Sequence, residues 1–149
     1  MAQETPIREE CTEAYEIIEK ILNLNPEIFG GITKNIIGAV LIVNKTRPES
    51  HALAGKRFTI KGITGAEAIF SSKQYVIEMY ADFWTSCSPA TKSVIMAEVL
   101  YFIPPDNPDG TLTKEDYHDR MVLIKSLGLS YRDNLSVPDL TVEKVLKPA

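Results

Sequence analysis

The stretch Val94–Ile103, VIMAEVLYFI, decides the fold, because it is apolar or aromatic at every position except Glu98. Just before it, Ser88-Pro89 supplies an N-cap and a proline for the first helical turn, so the run reads as a helix over Pro89–Phe102. A helix that is apolar around its whole circumference is stable only when other elements cover it on several sides. Val94, Ile95, Val99 and Phe102 are therefore expected in the core, with this helix at the centre of the domain.

Working back toward the N-terminus, Tyr75–Phe83 (YVIEMYADF) alternates Tyr75, Ile77, Met79 and Ala81 with Val76, Glu78, Tyr80 and Asp82, the period of a strand. Its second face is the wetter one, which suits an edge strand. Arg57–Gly62 (RFTIKG) alternates in the same way around Phe58 and Ile60, and Gly38–Asn44 (GAVLIVN) is a short apolar run rich in β-branched residues, the pattern of a buried strand. Residues 45–56 between them read as a loop. Further back, Thr5-Pro6 opens a run in which Ile7, Cys11, Ala14, Ile18 and Ile21 recur at helical spacing, so a first helix is expected over Pro6–Leu24, ended by Asn25-Pro26.

Toward the C-terminus, Pro104–Gly110 (PPDNPDG) is a strong stop and turn. Thr113 and Asp116 then approximate a capping box for a last helix over Lys114–Leu127, which carries an apolar stripe of Tyr117, Met121, Ile124 and Leu127 and has Gly128 as its cap. The tail from Leu129 to Ala149 contains Pro138 and Pro148 and is expected either to wrap the domain or to fray. The fold class that emerges is α+β in one domain of 149 residues: an N-terminal helix, a three-stranded sheet, a central buried helix and a C-terminal helix.

Composition narrows the function classes. A net charge of −4 with both signs dispersed leaves no basic footprint for nucleic acid or an anionic membrane. No apolar run approaches the roughly 18 residues that span a bilayer, and the acidic first residues lack the apolar core of an export signal, so a cytoplasmic location is expected. Cys11 and Cys87 are the only cysteines, without CxxC spacing and with no histidine nearby in sequence, and both are expected to be reduced and inert.

Several of these segments together resemble a phage-encoded metallopeptidase family of minimal zincin type. The resemblance runs through Tyr75-Val76-Ile77, Phe83-Trp84, the helix segment Ala97-Glu98-Val99-Leu100-Tyr101, Asp109-Gly110 and Gly128-Leu129, and so covers the second half of the chain. In that family the helix carries HExxH, whose two histidines hold one zinc ion from one helix face while the glutamate activates the metal-bound water. Here the two ligand positions are Ala97 and Tyr101. Alanine has no donor atom and a neutral tyrosine is a poor zinc ligand, so only the general-base position, Glu98, remains.

The resemblance thus implies a zincin-like scaffold that has lost its metal site. No cofactor is expected, and the implied role is that of a non-catalytic protein of phage or prophage origin that binds a host protein partner, as an inhibitor of a host system for example. The alternative is a divergent zinc hydrolase with Glu98 as general base and ligands borrowed from Asp116 and His118. Asp116 and His118 lie two apart on a helix and so point about 200° from each other, which leaves Glu98 with His118 or Asp119 as the most that geometry easily permits. For Glu98 itself the plainest expectation is a place on the one solvated stripe of its helix, with Thr91 and Tyr101, because a buried carboxylate without partners is costly.

Overall fold

The structure is a computed structural model and describes residues 5–47, 57–112, 127 and 137–146. The chain is mixed α+β. Its sheet has four strands in the order β1-β2-β4-β3, namely β1 (Arg8–Glu10), β2 (Ile37–Ile42), β4 (Tyr75–Tyr80) and β3 (Thr59–Gly62). β2 and β4 run parallel in the middle, and the outer strands β1 and β3 are antiparallel to their neighbours. The helices are α1 (Thr12–Leu24), α2 (Pro26–Phe29), α3 (Ala66–Phe70), α4 (Ala81–Ser86) and α5 (Pro89–Tyr101), with a short 3₁₀ turn at Lys34–Ile36.

All three expected strands are present, with shifted ends, and a fourth joins them. Arg8–Glu10 does not continue the first helix: it pairs with Val40–Ile42, and α1 begins only at Thr12. A three-residue run of charged side chains has no periodicity to announce a strand. Its pairing comes from β2, reinforced by the Ile7 amide donating to Asn44 Oδ1 at 2.7 Å and the Val43 amide donating to the Ile7 carbonyl at 2.9 Å. Cys11 sits at the α1 N-cap, buried, with its amide donating to the Ala39 carbonyl at 2.8 Å.

β4 is an interior strand, and the expectation of an edge is overturned. Register pairs Ile37 with Tyr75, Ala39 with Ile77 and Leu41 with Met79 on the covered face, where Tyr75, Ile77 and Met79 are almost wholly buried. Val76, Glu78 and Tyr80 lie half-buried on the other face. Alternation reports which face of a sheet is covered; it does not report which strand is outermost. The true edge beside β4 is β3. The strand also stops earlier than the pattern indicates, since Ala81 begins α4.

Helices α1 and α5 pack together over the covered face. Ala14, Ile18 and Ile21 of α1 join Ile37, Ala39, Tyr75 and Ile77 of the sheet and nearly the whole of α5 in one core. α5 starts where expected: Ser88 Oγ accepts from the Thr91 amide at 3.1 Å, and every residue from Ser93 to Leu100 is buried. Phe102, expected to be buried, is half-buried and stacks edge-on against Phe58 with ring centroids 5.8 Å apart.

Two later segments close the core. After α5 the chain turns back beneath β4, where the Tyr75 hydroxyl donates to the Thr111 carbonyl at 2.7 Å and accepts from the Gly110 amide at 3.1 Å. That turn passes so close to Gly62 that a Cβ there would stand 1.7 Å from the Gly110 carbonyl oxygen. The described part of the tail wraps the domain: Val137, Leu140 and Leu146 are buried, and the Leu140 amide donates to Ser93 Oγ at 2.9 Å. The expected last helix lies outside the described residues except for Leu127, which is helical and packs half-buried against the core.

Candidate functional site

Glu98 and its flanks Ala97 and Tyr101 are carried by the last turns of α5, and their surroundings differ from the sequence expectation. Glu98 is 4% exposed, so the solvated stripe is not where it lies. Its Oε1 stands 3.4 Å from Nη2 of Arg57, and both side chains are 4% exposed. Arg57 lies two residues before β3, and its guanidinium meets α5 at Glu98. A carboxylate surrounded by apolar residues is tolerable when a buried cation compensates it, and this pairing is the physical reason that the expected stripe is absent.

Ala97 is fully buried. Tyr101, one helical turn on, is half-buried, with its ring edge-on to Phe29 at a centroid distance of 5.1 Å. Burial pushes the Tyr101 phenol far above its ordinary range, so it keeps its proton at any physiological pH. A methyl group, a protonated phenol and a carboxylate engaged by a guanidinium do not make a donor set for zinc, which needs three or four protein ligands. Asp116, His118 and Asp119 lie outside the described residues. Among the described residues no three histidine, cysteine, aspartate or glutamate side chains gather in a way that can hold a metal ion.

Beside Arg57, at the carboxyl ends of the parallel strands, a hollow of about 220 Å³ is lined by Ile42, Arg57, Phe58, Thr59, Glu78, Met79 and Tyr80. Its charges are matched pair by pair. Glu78 receives Arg8 Nε at 2.7 Å across β2, and Arg57 faces Glu98. Close by, the Arg47 guanidinium lies 3.9 Å above the Phe83 ring while its amide donates to the Asp82 carboxylate at 3.1 Å. Burial, then the neighbouring Arg57 charge, lowers the Arg47 pKa from its usual value.

A second polar cluster ties three helices together. Glu13 of α1 accepts from Trp84 Nε1 of α4 at 2.8 Å and from Lys92 Nζ of α5 at 2.9 Å, and Lys92 lies 5.2 Å from the centre of the Trp84 ring. Trp84 is buried and packed, not displayed. Both thiols sit near this cluster, and burial raises both above the ordinary thiol value despite the neighbouring cations, so neither is an activated nucleophile.

Sequence reasoning singled out Glu98 and missed Arg57. A partial signal for it existed: a lone carboxylate in an apolar helix calls for a compensating partner, and Arg57 is one of the basic residues, with Lys56 and Lys61, that flank Phe58 and Ile60, but nothing in the sequence singled it out from them. No described helix is long and apolar enough to cross a membrane. No protein family, curated protein or solved structure matches the chain.

Proposed function

We propose that the chain is a non-catalytic binding protein on a degenerate metallopeptidase-like scaffold, encoded by a phage or prophage and acting on a host protein in the host cytoplasm. The observation that carries this reading is the Glu98–Arg57 pair. A general base must reach the proton that it abstracts, and a carboxylate buried to 4% exposure and facing a guanidinium at 3.4 Å is placed for structure instead. The scaffold part of the proposal rests on the resemblance, which is read on an order of elements, three strands before a buried helix, that β2, β3, β4 and α5 follow with Ala97, Glu98 and Tyr101 at the HExxH positions.

The test is capture of a partner from lysate of the native host by the tagged protein, with identification by mass spectrometry, run beside zinc analysis of protein purified without chelator. The expected result is a stoichiometric protein partner, zinc far below one per chain, and unchanged capture by Glu98→Gln at a temperature where that variant is folded. One zinc per chain together with a peptidase activity that Glu98→Gln abolishes while the fold persists would overturn the proposal.

A further inference from the structure

We draw no further inference here: the strongest candidate, the exposed apolar patch that Ile69 and Phe70 form on the short helix α3, carries none because nothing in the structure shows what covers it.

Discussion

The guanidinium of Arg57 and the carboxylate of Glu98 face each other at 3.4 Å with both side chains 4% exposed, joining the segment before β3 to the last turns of α5. Removing one member of a buried ion pair leaves the other charge in the core, which costs about 3–5 kcal/mol. Glu98→Gln is therefore expected to lose at least about 3 kcal/mol in urea unfolding, and Arg57→Met combined with Glu98→Leu to recover most of it. A loss under about 1 kcal/mol, the range of surface pairs, would mean that water reaches the pair.

Ala97 and Tyr101 stand one helical turn apart, so Ala97→His with Tyr101→His recreates the HExxH spacing. Ala97 is fully buried, and the added bulk of histidine there should cost about 1–3 kcal/mol. The double variant is expected to take up zinc weakly, for want of a third ligand and its supporting shell, while the parent takes up none. Competition with a chromogenic chelator measures this. Equal zinc binding by a folded double variant and its parent would remove the support for a relic metal site.

The Glu13, Trp84 and Lys92 cluster predicts an acid-sensitive region. Burial raises the Glu13 pKa, but hydrogen bonds from Lys92 and Trp84 and the charge of Lys92 outweigh it and hold the carboxyl below the usual range. A folded-state pKa below the unfolded one means that the contribution is complete above the unfolded value, near about 4.3, and is lost as pH falls through the folded value. Stability should decline with acidification below about pH 5, with a shallower decline in Glu13→Gln. Trp84 is the only tryptophan, so its fluorescence reports the change directly. Identical pH profiles for the two proteins would contradict the linkage.

Tyr75 fastens the turn after α5 through two hydrogen bonds, to Thr111 and from Gly110. Tyr75→Phe should cost about 1–3 kcal/mol, because the Gly110 amide is buried and loses its acceptor. Gly110 has φ +98° and the Ile63 carbonyl oxygen 2.5 Å from where a Cβ would lie, whereas Gly65 has φ +66° and open space around it. Gly110→Ala is thus expected to destabilise clearly more than Gly65→Ala in thermal melts; equal effects would show that the turn yields without strain.

How much of this was legible in the sequence follows from the range of each interaction. α5 announced itself through Ser88, Pro89 and ten nearly uninterrupted apolar residues, and β2, β3 and β4 through their periods, because side-chain spacing along a helix or strand is a local property. β1 was not legible, since charged Arg8–Glu10 becomes a strand only by hydrogen bonding to β2. The short helices α2 and α3 hold too few residues to show a period.

The sequence by itself determined that α5 is buried, that the sheet has one covered face, and that neither Ala97 nor Tyr101 supplies a histidine. Only the tertiary structure decided that β4 lies inside the sheet with β3 at its edge, and that Glu98 is met by Arg57 in the core rather than by water. The reason is physical: periodicity records which side of an element is apolar, whereas the neighbour on that side, and the partner of a charge buried there, are set by contacts between residues distant in the chain.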